Sequence, residues 1–290
     1  MAMDYRMMAF PGFRKRALTL SYDDGVIFDR RLVEIMCKHG LKGTFNVNSM
    51  YIGRDDLFCE ERRRVHVEEL PDLYTKNGME VAVHGVKHLT LPRYDSAIQL
   101  KEILDDRDAL EKIFGTIVKG MAYANGAFDD DVVRRLKECG IEYARTVVST
   151  EKFDIPTDWL RLPATCHHNN PRLMELLDQF LADENDYLAK YFGPKPRLFY
   201  LWGHSYEFND NDNWEVIEKF AEKAGGHDDV WYATNGEIYE YVKAVEALRY
   251  SVSGEYIHNP SAIDVYLEYR GQRLLVPSGK TVKSNIPISG

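Results

Sequence analysis

Cysteine is scarce in this chain of 290 residues, which has four, at positions 37, 59, 139 and 166. No two of them have C-x-x-C spacing, which argues against a disulfide framework and indicates reduced thiols. No apolar run approaches the ~18 residues of a membrane-spanning helix. Basic residues are outnumbered, 37 against 46 acidic ones, giving a net charge of −9. We therefore expect neither a nucleic acid nor a membrane surface as a partner.

The N-terminal stretch has no signal-peptide pattern. Its basic cluster follows the first apolar residues instead of preceding them, and no small-residue cleavage site comes after it. We therefore expect a cytoplasmic protein.

Short apolar runs alternate with helical patterns from residue 16 to residue 248. The predicted strands are residues 16–21, 44–48, 79–83, 118–124, 142–148, 160–166, 197–203 and 230–234. The predicted helices are residues 28–38, 95–114, 129–138, 171–182, 214–224 and 236–248. This alternation predicts parallel βαβ units, and at least seven of them predict a closed or nearly closed β/α barrel.

The pattern changes after about residue 249. Short alternating runs are separated there by Ser-Gly, Asn-Pro and Arg-Gly pairs, which is typical of antiparallel strands joined by turns. We expect a β/α barrel over residues 1–248 and a small β-rich extension over residues 249–290. Edge strands of the extension could pair between subunits, so a homo-oligomer is expected.

Two short motifs carry the chemistry. Ser21-Tyr22-Asp23-Asp24-Gly25 follows one strand-like run, and His84-Gly85-Val86-Lys87-His88 follows another. One carboxylate and two imidazoles can hold a divalent metal with positions open for water and substrate. The second carboxylate is then free to act as a base on that water.

Each motif alone is weak. Asp-Asp-Gly is a common turn, and H-x-x-x-H occurs by chance. The argument depends on both motifs lying at predicted strand ends, where the functional residues of β/α barrels are found. His204 also follows a strand; it is either a core histidine or, beside a metal site, a proton donor.

These motifs resemble those of the polysaccharide deacetylase family, the NodB homology domain of carbohydrate esterase family 4. Residues 21–25 are similar to its T-F-D-D-G motif, residues 84–88 to H-[ST]-x-x-H with Gly85 in the Ser/Thr place, and residues 201–204 to L-x-x-H. The resemblance covers roughly residues 15–245 and implies a distorted (β/α)7 barrel. It further implies that Asp24, His84 and His88 bind one divalent metal, usually zinc, with cobalt, nickel or manganese as alternatives.

The resemblance also implies the roles of the reacting groups. Asp23 would be the general base and His204 the general acid, which protonates the leaving amine. A backbone N–H near Tyr123 would help the metal to hold the oxyanion.

The chain departs from two further family motifs. The family's R-P-P-[YF]-G supplies an arginine that pairs with the base, whereas residues 121–126 contain neither arginine nor proline. We hypothesise that Arg145, at the end of the next strand, supplies the guanidinium; a structural arginine is an equal alternative. The family's D-x-x-D-W is matched imperfectly by residues 154–159, where Asp154 or Asp158 would either orient His204 or belong to a surface loop.

Several residues are candidates for the substrate cleft. Tyr123, Asn125 and His167 lie at or just beyond strand ends. Trp202 could stack on a sugar face or simply pack in the barrel. The loop over residues 50–64 is expected to shape the cleft, whereas a second metal site at His167 and His168 has little support.

The sequence thus predicts a metal-dependent hydrolase that removes N-acetyl groups from an amino sugar or oligosaccharide. Three alternatives remain open: a small-molecule amide or ureide hydrolase, an O-acetyl esterase, and a non-catalytic carbohydrate-binding protein. The last is disfavoured because a purely structural metal site does not need Asp23.

Overall fold

The computed structural model describes residues 5–59, 62–183 and 194–286. The strands of its main sheet are β2 (Arg16–Asp23), β3 (Gly43–Val47), β4 (Glu80–Val83), β5 (Gly120–Ala122), β6 (Tyr143–Ser149), β7 (Leu162–Ala164), β8 (Cys166–His167), β9 (Arg197–Gly203) and β10 (Val230–Tyr232), with β1 (Met8–Ala9) before them. Strands β2 to β10 form one sheet in which every paired neighbour is parallel.

The sheet closes on itself through the segment formed by β7 and β8. Strand β7 pairs with β6, and β8 pairs with β9, whose other neighbour is β2. One residue, Thr165, separates β7 from β8, and its amide already donates to the carbonyl of Tyr200 on β9 at 2.9 Å. Counted as one strand, this segment completes a seven-membered ring within the described residues. Strand β10 lies outside the ring and pairs with residues 16–18 of β2. The predicted distorted (β/α)7 barrel is therefore confirmed.

Helices cover the outside of the sheet. They are α1 (Asp29–Lys38), α2 (Leu70–Leu73), α3 (Ser96–Phe114), α4 (Asp130–Glu138), α5 (Leu173–Leu181), α6 (Ser205–Asp210), α7 (Glu215–Ala224) and α8 (Asn235–Glu246). Asp95 caps α3 by accepting the amide of Ile98, and a capping box of Thr234 and Glu237 begins α8. Helices α2 and α6 were not predicted. In the described part of the chain, no helix combines the length and apolarity needed to cross a bilayer.

The C-terminal residues form two small sheets with the strands β11 (Arg249–Tyr250), β12 (Tyr256–His258), β13 (Val265–Tyr269), β14 (Gln272–Val276) and β15 (Thr281–Lys283). The unpredicted strand β1 pairs with β13, so the N-terminus contributes to the extension. Apolar side chains of the two sheets, such as Ile257 and Leu267, share a cluster with Ala244 of α8. The extension therefore packs against the last barrel helix. The predicted division at residue 249 and the expected pairing between subunits stay predictions.

Candidate active site

The candidate site lies where β2 and β4 end. Asp23 is the last residue of β2, and the amide of Asp24 still donates to the carbonyl of Asn46 on β3 at 2.9 Å. Asp24 and His88 have positive φ angles of 83° and 55°, a conformation that costs energy for residues other than glycine and is concentrated at functional sites. The backbone is thus held in an unfavourable form at two of the three expected metal ligands.

His84 is arranged as a metal ligand would be. Its Nδ1 lies 2.9 Å from the carbonyl oxygen of Ala122, which can only accept, so Nδ1 carries the proton and Nε2 keeps its lone pair. The side chain is buried, and among the described residues Nε2 has no hydrogen-bond partner. A second-shell carbonyl that fixes the tautomer is the usual arrangement of a metal-binding imidazole.

The other two expected ligands, Asp24 and His88, lie near Nε2 of His84. Oδ1 of Asp24 lies 3.9 Å from Nε2 of His84 and 4.0 Å from Nε2 of His88, and the three ligand atoms all lie within 4.8 Å of one another. Burial lowers the pKa of His88, with the neighbouring His84 acting in the same direction, which favours its neutral, metal-binding form. A carboxylate and two neutral imidazoles fit a divalent cation, most naturally one that accepts mixed N and O ligands.

Asp23 is buried beside this triad and is paired. Arg145 Nη2 donates to Oδ2, and Asn46 Nδ2 donates to Oδ1 at 2.8 Å. Burial alone would raise the pKa of Asp23, but the Arg145 guanidinium outweighs it and holds the pKa below its usual range. Asp23 is therefore ionised and can accept a proton.

Arg145 reaches Asp23 from β6. In the strand register, Arg145 pairs with Ala122 of β5. It therefore lies beside residues 121–126, the stretch that lacks the arginine of the family motif. Its Nε donates to Ser21 Oγ at 3.2 Å, and its guanidinium carbon lies 4.4 Å from the ring centre of Trp202. The structure thus brings the hypothesised guanidinium to the candidate base.

His204 lies on the other side of Asp23, and its partner is not an aspartate of residues 154–159. Nε2 is 3.8 Å from Asp23 Oδ2, and Nδ1 is 3.4 Å from Glu207 Oε1. Burial lowers the pKa of His204, but Glu207 and Asp23 outweigh it, so the pKa is raised overall. Asp158 instead caps the turn at Trp159–Arg161 and pairs with Arg161 at 2.8 Å. Of the two alternatives for Asp158, this favours the surface loop.

A second histidine cluster surrounds Glu207. His167 and His168 approach Oε2 of Glu207 through Nε2 at 3.2 and 2.8 Å. The ligand atoms of His167, His204 and Glu207 also lie within 4.8 Å of one another. However, the amide of Asn169 donates to Nδ1 of His167 at 3.1 Å, so Nε2 carries the proton and has no lone pair for a metal. This protonation argues against a second metal site that would use Nε2 of His167 as a ligand.

The structure corrects the expectation that Tyr123 binds substrate, whereas an oxyanion donor near Tyr123 stays a prediction. Its ring is buried and stacks on Phe128, with the hydroxyl donating to the carbonyl of Leu160 at 2.6 Å. Its amide donates to the carbonyl of Arg145 at 3.0 Å. Tyr123 therefore offers neither a side chain to a substrate nor a free N–H to an oxyanion, because both are used to hold the barrel together.

The remaining cleft candidates lie around the rim. Asn125 is exposed and donates to Thr90 Oγ1 at 3.0 Å. Trp202 is only 9% exposed and lies between Arg145 and His167, so its main contacts are with protein groups. In the described part of the loop over residues 50–64, Arg62 stacks 4.1 Å above the Tyr206 ring and pairs with Asp210 at 2.6 Å. The loop therefore borders helix α6, next to His204.

Several acidic residues of the site were missed in the sequence. Asp106 accepts the amides of Ser49 and His84 at 2.7 and 3.0 Å, and Glu102 accepts the amide of Lys87 at 2.5 Å. Both carboxylates are buried and lie four residues apart on the inner face of α3. Acidic residues in register with the apolar side of a predicted helix were the signal that could have found them.

Comparison with known proteins agrees with this geometry. Residues 11–144 match the family model described as polysaccharide deacetylase. No curated protein matches the chain. A protein from Mycobacterium smegmatis, provisionally described as a polysaccharide deacetylase, has a TM-score of 0.59 and 17% identity over 84% of this chain and 96% of its own. Because the identity is low, this likeness shows the fold alone.

Two further structures have TM-scores below 0.5. The Streptococcus pyogenes deacetylase PplD, solved with acetate, has a TM-score of 0.47 and 20% identity over 56% of this chain and 69% of its own. BA3943 from Bacillus anthracis, described as a pseudoenzyme of carbohydrate esterase family 4, has a TM-score of 0.46 and 16% identity over 80% and 68%. The match over residues 11–144 and the shared fold agree with the resemblance to polysaccharide deacetylases that the motifs after β2 and β4 predict.

Proposed function

We propose that the chain is a metal-dependent hydrolase that removes N-acetyl groups from an amino sugar or an oligosaccharide. The observation that carries the proposal is the buried Asp23–Arg145 pair beside the unpartnered Nε2 of His84. A purely structural metal site would need the free Nε2 of His84 but not the buried Asp23–Arg145 pair. The family match over residues 11–144 supports the hydrolase class, and the activity, the substrate and the metal are what we propose.

Asp24, His84 and His88 would hold the metal, with zinc the ion that best suits one carboxylate and two imidazoles. When bound, such an ion supplies Lewis acidity, which polarises an amide carbonyl and makes a water molecule more acidic. The remaining steps belong to the protein's own side chains.

Asp23 would accept the proton of the attacking water at Oδ2, the oxygen that faces both His84 and His204. Arg145 keeps this carboxylate ionised and fixes its direction. As the C–N bond of the acetamide breaks, His204 would donate its Nε2 proton to the nitrogen, because an amine is too basic to leave as an anion. The products are acetate and the free amine.

The test combines metal content with acetate release on one preparation. The substrates are N-acetylglucosamine oligomers of several lengths, and the variants are Asp23→Asn and His84→Ala. We expect wild type to carry about one divalent metal and to release acetate, Asp23→Asn to keep metal without release, and His84→Ala to lose both. Metal without release in wild type would favour ureides, acetyl esters or a binding role, which the same preparation can be screened for.

A further inference from the structure

We propose that Asn46 is a positioning residue of Asp23, and that its side-chain amide decides which carboxylate oxygen is left to react. This inference rests on the proposed function, because it assigns Asp23 the role of the base. Asn46 lies on β3, outside every stretch that is similar to a family motif. In the strand register it pairs directly with Asp23 of β2, so the two residues lie at the same level of the barrel.

The first step is the direction of the Asn46 amide, which is buried in the middle of a strand. Asn46 is 1% exposed, and asparagine is disfavoured in strands and costly to bury unless its polar atoms are hydrogen-bonded. Its Nδ2 donates to Asp23 Oδ1 at 2.8 Å, to Ser21 Oγ at 2.9 Å and to the carbonyl of Tyr22 at 3.3 Å. An ionised carboxylate and a carbonyl only accept, so the NH₂ group must be the end of the amide that faces Asp23.

The second step is that Arg145 alone does not fix the carboxylate. Its Nη2 donates to Oδ2 of Asp23, whereas Nη1 donates to the carbonyl of Thr146 at 3.3 Å. Its Nε donates to Ser21 Oγ at 3.2 Å. Each guanidinium nitrogen has its own acceptor, so Arg145 does not make the two-pronged contact with both oxygens of one carboxylate. A single contact to one oxygen leaves the carboxylate of Asp23 free to turn about its Cβ–Cγ bond.

The third step is the contact that Asn46 adds on the other oxygen. With Oδ1 bound to Asn46 and Oδ2 bound to Arg145, the plane of the carboxylate is set. Oδ2 then lies 3.8 Å from Nε2 of His84 and 3.8 Å from Nε2 of His204, on the side of the site. Ser21 ties the two donors together, because its Oγ accepts from both of them. The reactive oxygen of the base is therefore selected by a neutral amide together with the guanidinium.

The experiment uses Asn46→Leu in the full-length metal-loaded protein, because leucine is close to asparagine in size and cannot donate. The matched control is Asn259→Leu, which removes a buried amide of the extension that donates to the carbonyls of Ile263 and Val276. For Asn46→Leu we expect kcat to fall by roughly 10²-fold, the scale of a misplaced reacting group, with KM and metal content nearly unchanged. Asn259→Leu should lose stability and keep kcat.

Three results would overturn the proposal. One is an unchanged kcat in Asn46→Leu. Another is a loss of kcat of the same size in Asn259→Leu, which would trace the effect to stability. The third is a loss of metal from Asn46→Leu, which would show that the residue acts through the metal ligands and not through the base.

A second readout depends neither on turnover nor on metal. A hydrogen bond to an ionised carboxylate is short and strong, and it moves the NMR signal of the bonded side-chain amide proton of Asn46 downfield. In the metal-free protein we expect this signal to move upfield in Asp23→Asn, while the side-chain amide signals of Asn259 stay in place. An unchanged Asn46 signal would overturn the inference, and this test holds even if Asn46→Leu does not fold. If wild type releases no acetate, the proposed function fails, while the Asn46 signal still decides whether the amide holds Asp23.

Discussion

Arg145 and Asp23 are 122 residues apart in the chain and form a buried ion pair beside the candidate metal ligands. Both side chains are almost fully inaccessible, at 1% and 4%. A buried charge without its partner is costly, so the two residues depend on each other. The pair links β2, which carries the Asp-Asp-Gly motif, to β6. Arg145 of β6 takes the place of the arginine that the family's R-P-P-[YF]-G motif would supply.

Arg145→Ala should abolish acetate release and leave metal binding intact, because the guanidinium donates to Ser21, Thr146 and Asp23 and not to the three expected metal ligands. Leaving Asp23 buried and unpaired should also cost about 3–5 kcal/mol of stability. Chemical denaturation, metal content and acetate release measure these effects. Arg161→Ala, which breaks the surface pair with Asp158, is the control and should change stability by less than about 1 kcal/mol. Full activity of Arg145→Ala would contradict the assigned role.

Strand ends could be predicted from the sequence because buried parallel strands are continuous apolar runs, and the residues after them meet at one edge of a barrel. Arg145 followed from the same logic. Glu207 could not be predicted in this way, because helix α6 has only six residues and is too short to show an apolar periodicity in the sequence. The pairing of Met8 with Leu267 was equally hidden, since a two-residue strand carries no pattern and its partner is distant in the chain. The closing strand was predicted as one run, although Thr165 divides it between two partners.

Removal of one metal ligand should change the thermal stability that zinc confers, which can be measured without any substrate. A ligand that binds only the folded state stabilises it by about 2.7 kcal/mol at a hundred times its Kd. Added zinc should therefore raise the unfolding midpoint of the chelator-treated wild type and of Asp23→Asn, but not that of His88→Ala. Differential scanning fluorimetry with and without zinc measures this. An equal zinc response of His88→Ala and wild type would mean that the triad is not the metal site.

Gly85 takes the Ser/Thr place of the family motif, and its conformation predicts the result of replacing it. It has a φ of +82°, and a Cβ there would lie 3.1 Å from Oε1 of Glu102, the carboxylate that holds the amide of Lys87. Gly78 has a similar φ of +73°, with only Lys42 Cε at 3.8 Å. Gly78→Ala should therefore cost about 1 kcal/mol for strain alone.

Gly85→Ala should cost more than this control and should also weaken zinc binding, because the loop between His84 and His88 must shift away from Glu102. Urea denaturation and zinc titration of the two variants separate the strain from the displacement. Equal stability losses with unchanged zinc affinity would show that Glu102 gives way freely and that the loop is not fixed by it.

Asp29 connects the pH dependence of stability to the His204 segment. Its buried carboxyl accepts Ser205 Oγ at 2.5 Å and the Tyr74 hydroxyl at 2.7 Å, and Ser205 is the neighbour of His204. Burial raises the pKa of Asp29 from 3.8 to about 7, while the two hydrogen bonds oppose the shift only in part. The folded state therefore binds this proton more tightly than the unfolded chain does.

It follows that Asp29 stabilises the fold fully below about pH 4 and that this contribution is lost as the pH rises towards 7. Asp29→Asn does not titrate and can still accept from Ser205. The free energy of unfolding of wild type, minus that of Asp29→Asn, should thus fall between pH 5 and pH 8 by more than about 1 kcal/mol. Urea denaturation across this range measures the difference, with Asp108→Asn on the exposed face of α3 as the control. A difference that stays constant with pH would show that Asp29 is ionised throughout, held by Ser205 and Tyr74 in spite of its burial.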